Sequence, residues 1–554
     1  MNKTILSQTV IVITALLSSC GSTKRADLVV YNALVYTVDS SFSTAEAFAV
    51  RDGKFIAVGT SDEIRSTYKA DETIDAQGLP IYPGFYDAHA HFFGYAQTYG
   101  QADLSGATSF DEIIERLRAF RSEHPDARWL LGRGWDQNLW NDKSFPTRDR
   151  LDVEFPDVPV YLVRIDGHAA LANGKALDLA GITGPVDIEG GLIETQRGEP
   201  TGILVDNAMD AVSSLIPSPT TSQLTQFLKK AEDACLAVGL TTVSDAGLGR
   251  SSLNLLDSLY NAGQLRIRNH AMIGLSRENL DHYLAAGPYV SDRFTIRTFK
   301  ILADGALGSR GACLLHPYAD AATSGFLLLS PQAIDSAIAR IIDSDFQVAT
   351  HAIGDSANRL VLDIYGKYLN GKNNRRWRIE HAQIIDPADI ARFATLKVIA
   401  SMQPVHQPSD RVMAEARLGP DRLKGAYAWR SLQNAGVRLA FGSDVPVESA
   451  NPFAGIAAAI SRTDAKGEPF GGWRPEEAVS RETALDGFTR TAAYAGFAED
   501  RIGTLMPGMR ADFLIVDADP MLASPDEIRR MTPLETWIGG YRYYKRKEGA
   551  TVGR

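Results

Sequence analysis

Pro83-Gly84-Phe85-Tyr86-Asp87-Ala88-His89-Ala90-His91 joins an apolar, strand-like run to two imidazoles two residues apart. At period two both rings project from one side of an extended segment. A single strand end can thereby offer two nitrogens to one divalent ion. A lone His-x-His pair fits the wet face of a strand equally well. Three later stretches repeat the arrangement: Phe346 to Thr350 ends at His351, Arg376 to Glu380 at His381, and Val437 to Ser443 at Asp444. Four of the chain's ten histidines fall at such ends.

Between residues 83 and 499, apolar runs alternate with helical segments, the pattern of βα units around a parallel sheet. Runs ending at His91, Arg164, Asp245, Lys300, His351, His381, Gln403 and Asp444 supply the eight strands of a closed α/β barrel, the (β/α)8 TIM type. Such barrels keep their active sites at the strand C-termini, where the metal-capable side chains fall. The gap from His91 to Asp245 is too long for adjoining units, so an insertion after the first strand is predicted at about 92–240. It contains Gly132-Arg133-Gly134-Trp135-Asp136-Gln137-Asn138-Leu139-Trp140 and a hairpin from 191–194 to 202–204. Issuing from strand-end loops, it is placed to cover the site. From Asp27 to Ile81 the runs are short, with Asp52-Gly53 as a hairpin turn and no helical period. Residues 511–516 and 535–543 look alike, so 27–82 and 500–547 are predicted to form one small β-sandwich from both chain ends.

The net charge of -10 argues against a nucleic-acid partner, whose phosphates would be repelled. Residues 1–19 carry a signal-peptide pattern: Lys3, an apolar Thr9–Leu17 stretch too short to span a membrane, and small residues before Cys20. Leu17-Ser18-Ser19-Cys20 resembles a bacterial lipobox, which implies lipid on Cys20, a tether at 20–26 and an exported lipoprotein of the cell envelope. Gly21 in place of an aspartate points to the outer membrane, facing the periplasm, in a Gram-negative cell. A plain secretory signal with an incidental cysteine is the alternative. Cys235 and Cys313 lie in apolar segments and are too few for a disulfide framework. The oligomeric state stays open, homo-oligomers included.

Histidines and an aspartate at barrel strand ends make a site for one or two divalent ions, zinc among them. Such an ion acidifies water towards neutral pH, and Asp444 can take the proton as general base and pass it to a leaving group. Together with Gly132-Arg133-Gly134-Trp135, Asp166-Gly167-His168, Lys300-Ile301-Leu302-Ala303-Asp304-Gly305, His351-Ala352-Ile353-Gly354-Asp355, Glu380-His381-Ala382 and Phe441-Gly442-Ser443-Asp444, the opening stretch resembles the amidohydrolase superfamily. Within it the chain is similar to the YtcJ-like branch, which includes N-substituted formamide deformylase. The resemblance covers nearly everything after residue 27. It implies that His89, His91 and Asp444 bind a first metal, that His351 and His381 bind a second, and that Lys300 bridges them as a carbamate. The residues alone leave Lys300 open between that role and an ordinary strand-end charge. Trp135, His168, Asp304, Arg310 and His406 are candidate substrate contacts, with helix caps, ion pairs and structural packing as the alternatives. Ser244 stands where this branch often carries a histidine, which leaves its specificity unassigned.

The expected function is metal-dependent hydrolysis of a C–N bond in a small N-formyl or N-acyl amine. Trp135 and Trp140 beside Arg133 suit a pocket with apolar walls; packing of both tryptophans in the insertion's own core is the competing reading. Two other classes remain: a one-metal deaminase on the same barrel, and an anchored binding lipoprotein without catalysis, which should have lost a ligand.

Overall fold

The computed structural model describes residues 23–547 of the chain. The signal segment, Cys20 and the start of the tether lie outside them. Eight parallel strands run side by side in chain order: β1 (Phe85–Ala90), β2 (Leu240–Leu248), β3 (Arg268–Gly274), β4 (Phe294–Leu302), β5 (Gln347–Ala352), β6 (Arg378–His381), β7 (Ile399–Met402) and β8 (Leu439–Phe441). β1, β5, β6, β7 and β8 are buried at every residue, as parallel strands covered on both faces must be. The seam between β8 and β1 is tied just beyond β8. There the Asp444 N–H donates to His89 O (2.8 Å) and the His91 N–H to Val445 O (2.8 Å). Gly442 is needed at that seam, because a Cβ would lie 2.5 Å from His89 N. Helices follow the strands, and the main apolar cluster fills the space between the two layers. The architecture is a (β/α)8 barrel with additional sheets.

Two strand assignments differ from the sequence expectation. Val160–Arg164 lies outside the barrel, pairing with Leu130–Trp135 and Ala169–Ala172. The barrel's third strand is instead β3, whose first half is polar yet buried. Its Arg268 is paired with Asp512 (2.6 Å), and His270 is hydrogen-bonded to Gly496 O (3.0 Å) and Thr298 Oγ1 (2.7 Å). Those tertiary partners, invisible locally, let charged residues occupy a strand.

The insertion is a six-stranded sheet in the order Gly191–Gln196, Glu199–Asp206, Ala169–Ala172, Val160–Arg164, Leu130–Trp135, Ala102–Asp103. It is shorter than 92–240, because the helices Phe92–Thr98 and Thr221–Ala237 pack on each other and on β2 as part of the barrel. Within Leu130–Trp135 the register against Val160–Arg164 shifts between Arg133 and Trp135, around Gly134 at φ +110°. A bulge of this kind re-aims side chains. Arg133 and Trp135, which strict alternation would put on one face, part company there. Arg133 reaches the cavity described below, whereas Trp135 is 1% exposed in the insertion's own core with Trp140 and Leu130.

Strands from both chain ends share a six-stranded sheet in the order Tyr541–Lys545, Glu535–Ile538, Phe513–Ile515, Pro80–Pro83, Leu34–Tyr36, Thr44–Ala45. A four-stranded sheet, Lys54–Gly59, Ala47–Arg51, Lys24–Tyr31, Tyr68–Asp75, packs on it through Leu28, Val30, Phe48, Phe55, Phe513 and Trp537. A short helix, Ser61–Thr67, intrudes where no helical period was expected, started by a Thr60–Glu63 capping box. Among the described residues no helix is long and apolar enough to cross a membrane.

Candidate metal centre

The C-terminal ends of β1, β6 and β8 meet around the Asp444 carboxylate. His89 Nε2 lies 3.5 Å and His91 Nε2 3.2 Å from its Oδ1, while His406 Nε2 lies 3.6 Å and His381 Nδ1 4.0 Å from its Oδ2. Two sets of donors therefore share one aspartate: His89, His91 and Asp444, and His381, His406 and Asp444. Asp444 and His381 both have positive φ (61° and 69°), a strain that surrounding structure must hold in place. Asp444 Oδ1 and His406 Nε2 are buried with no aligned hydrogen bond among the described residues. Ring nitrogens and carboxylate oxygens converging on one point, two of them buried without a hydrogen-bond partner, fit a divalent ion.

Partners besides Asp444 orient three of the rings; for His89 and His91 they take the nitrogen that faces away from Asp444, for His381 the same Nδ1 that faces it. His89 Nδ1 meets the Glu380 carboxylate, His91 Nδ1 meets Ala246 O (3.1 Å), and His381 Nδ1 meets Gln403 Oε1 (2.8 Å). Partners of this kind fix ring orientation at metal sites. Glu380 is in turn gripped by Arg378, which also donates to Ser401 Oγ (2.9 Å). Burial, then the neighbouring Lys300 charge, pushes His89 down to about 4, so it is neutral near pH 7. Burial, then His381, holds His351 well below the usual imidazole range. For Asp444, burial opposes the charge, but His91, His381 and His89 outweigh it and hold the carboxyl well below the usual range.

The expected residues divide as follows. His89, His91, His381 and Asp444 converge. His406, expected at the substrate, joins the second donor set instead. His351 ends β5 beside His381, ring centroids 4.5 Å apart, but falls in neither donor set. Lys300, 4% exposed, places Nζ 3.1 Å from His89 Nε2, and burial brings its pKa down to about 8. Arg310 lines the cavity, paired with Asp320 (2.9 Å). Asp304 does not line it: fully buried, it accepts from the backbone N–H groups of Cys313 (2.8 Å), Ile353 (3.0 Å) and Gly354 (2.9 Å). Trp135 does not line it either; its Nε1 donates to Leu162 O (2.8 Å).

His168 reaches the same space from the insertion. Its Nδ1 lies 2.6 Å from Asp206 Oδ1, and its ring centroid 5.1 Å from that of His351. Burial lowers the His168 pKa, but the Asp206 hydrogen bond and charge overcome this and leave it raised. Sequence reasoning passed over Asp206, which ends a strand with no motif. It also passed over the partners Glu380 and Gln403; for Glu380 the signal was present, as Arg378 and Glu380 sit two apart in a buried strand, where opposite charges share a face. The centre opens into a cavity of about 1790 Å³ between barrel and insertion. Its wall carries Arg133, Arg164, Asp166, Asp410 and Glu448 as well as Tyr95 and Leu307, so it is more charged than the sequence suggested.

The Amidohydrolase family matches residues 72–544. The chain is 32% identical over 530 residues to the putative amidohydrolase YtcJ of Bacillus subtilis (strain 168), covering 93% of this chain and 99% of that one. It is 29% identical over 546 residues to N-substituted formamide deformylase of Arthrobacter pascens, covering 95% and 99%. An uncharacterized metal-dependent hydrolase from Pyrococcus horikoshii OT3 superposes with a TM-score of 0.73 at 29% identity, covering 90% of this chain and 99% of that one. The barrel, its strand-end imidazoles and the near full-length match agree: this chain belongs to the amidohydrolase family and is a hydrolase.

Proposed function

We propose that the protein hydrolyses the C–N bond of a small N-formyl or N-acyl amine at a centre of one or two divalent ions, zinc being the ion an imidazole-rich set suits. The observation that carries this reading is the convergence of four imidazoles on the two oxygens of Asp444. His89, His91 and Asp444 would hold one ion. His381, with His406 or His351, would hold a second, Asp444 being shared. Lys300, buried among them, would serve as a carbamate, because an ammonium group has no lone pair to offer. A bound ion supplies Lewis-acid polarisation of the carbonyl and acidifies water. Asp444 accepts the proton of the attacking water and returns it to the departing nitrogen. His168, its Nδ1 held by Asp206, donates from Nε2 to the carbonyl oxygen as charge grows there. The deformylase among the relatives bears a name of the same bond class.

The test is turnover of N-formylbenzylamine, N-acetylbenzylamine, a simple ester, a dipeptide and adenine, with metal content measured alongside. We expect amide turnover that a chelator abolishes and zinc restores. Ammonia release from adenine without amide turnover would favour the one-metal deaminase. A carbamate on Lys300 should appear as a carbon-13 signal after loading with labelled bicarbonate. We also propose that the protein is an exported lipoprotein held to the membrane through Cys20. Membrane fractionation that persists in Cys20→Ser would overturn that.

A further inference from the structure

Of the seven lysines and arginines that line the cavity, three have a carboxylate partner among the described residues. Arg164 is paired with Asp136 and Asp166, each at 2.6 Å, and Arg310 and Arg417 both grip Asp320. Arg133 differs. Its one hydrogen bond among the described residues is a long one, Nη2 to Ile165 O at 3.4 Å, and its Nε is buried without a partner. No carboxylate pairs with it among the described residues; Asp166, whose charge acts on it, is engaged by Arg164 and by the His168 N–H (3.1 Å). A guanidinium stays charged in proteins, and this one is half-buried, with its Nε fully so and no counter-charge bonded to it.

Its position is specified. The Gly134 bulge turns Arg133 away from the insertion core and into the cavity. There the fork lies against the Gly167 backbone, where a Cβ would stand 3.3 Å from Nη2, directly beside His168. Arg133 thus sits on the insertion side of the centre, adjoining the residue assigned to the carbonyl. Burial lowers its pKa, and the more distant charges of Asp166 and Asp444 only partly oppose this.

We propose that Arg133 is a specificity-determining residue that binds a carboxylate of the substrate, which makes the preferred substrates N-acyl amines carrying a carboxylate near the scissile bond, the N-acyl amino acid class. The planar fork matches a carboxylate in two parallel hydrogen bonds. A phosphate, with its second charge, would meet more repulsion from Asp136, Asp410 and Glu448, which line the same cavity. The inference rests on the amide hydrolysis proposed above and amends the expected apolar substrate by one charge.

The test compares N-acetylphenylalanine with N-acetylphenethylamine, which differ by the carboxylate alone, on metal-replete enzyme. Kd by calorimetry and kcat/KM are both read. Tighter binding of the acid by about 10- to 100-fold is expected, with the ratio collapsing towards one in Arg133→Met and only partly in Arg133→Lys. Far-ultraviolet circular dichroism and metal content establish that each variant is folded and loaded; if Arg133→Met is not, Arg133→Lys alone decides. Equal binding of the two compounds by the wild type, or a ratio that neither substitution changes, overturns the proposal. So does a collapse on Arg411→Met but not on Arg133→Met, since Arg411 is a further cavity arginine with a buried, unpartnered Nε. Failure of amide hydrolysis itself reads differently: neither compound is turned over, while the calorimetric ratio still reports on Arg133.

Discussion

The two walls of the cavity are built on different plans. On the barrel wall, imidazoles from the ends of β1 and β6 and from the start of the helix after β7 converge on one carboxylate after β8, and three of them are held by further hydrogen-bond partners. On the insertion wall no such convergence occurs: His168 is held by Asp206, Arg164 is tied to Asp136 and Asp166, and Arg133 has no carboxylate partner among the described residues. The contrast implies a division of labour. On the proposed reading the barrel wall would hold the ions, and the insertion wall would polarise the carbonyl through His168 and select the substrate through Arg133.

That division can be broken at either wall. The largest effect should come from His89→Ala or Asp444→Ala, expected to take turnover to background and to lower metal content while the melting temperature moves little, because strand-end ligands serve the site more than the core. Near-normal activity and metal content in His89→Ala would remove the barrel wall from the mechanism. Next come His168→Ala and Asp206→Asn, expected to lower kcat by about 10²- to 10⁴-fold at unchanged metal content. A loss of metal in either would erase the distinction between the walls. Trp135→Ala should cost about 3–5 kcal/mol in the stability of the insertion, read by thermal or denaturant unfolding, since it empties a site in that core. A selective change in substrate preference with stability intact would instead return Trp135 to the pocket. The smallest effect is predicted for Gln403→Leu, which frees His381 Nδ1. A metal affinity about 10- to 100-fold weaker is expected by competition with a chelator, and an unchanged affinity would separate His381 from the centre.

What could be read from the chain alone follows from how local each determinant is. β1, β5, β6 and β8 announce themselves because apolar runs end in imidazole or carboxylate, and such strands are buried on both faces. β3 does not, because Arg268, Asn269 and His270 are tolerated only through Asp512, Gly496 and Thr298, which are distant in sequence. Val160–Arg164 has the composition of a barrel strand but finds its partners in the insertion. Asp304 and Asp444 both follow barrel strands, and nothing in either segment tells that three backbone N–H groups claim the first while imidazoles surround the second. Trp135 and Arg133 share a motif and a parity that one bulged glycine cancels.

The pairing of the two chain ends has a consequence for biosynthesis. Pro80–Pro83 leads directly into β1 and lies between Leu34–Tyr36 and Phe513–Ile515, and Asp512 reaches both Gly84 N–H through its carbonyl and Arg268 through its carboxylate. A polypeptide emerging from the ribosome N-terminus first therefore carries β1 and β3 for most of its synthesis without these neighbours. Until the last stretch is made, an edge of the leading sheet and a buried cation both wait for partners. Completion of the fold is thus deferred until residues 512–545 are made, and a chain truncated before Asp512 should accumulate as a protease-sensitive species even though every candidate ligand residue has been made.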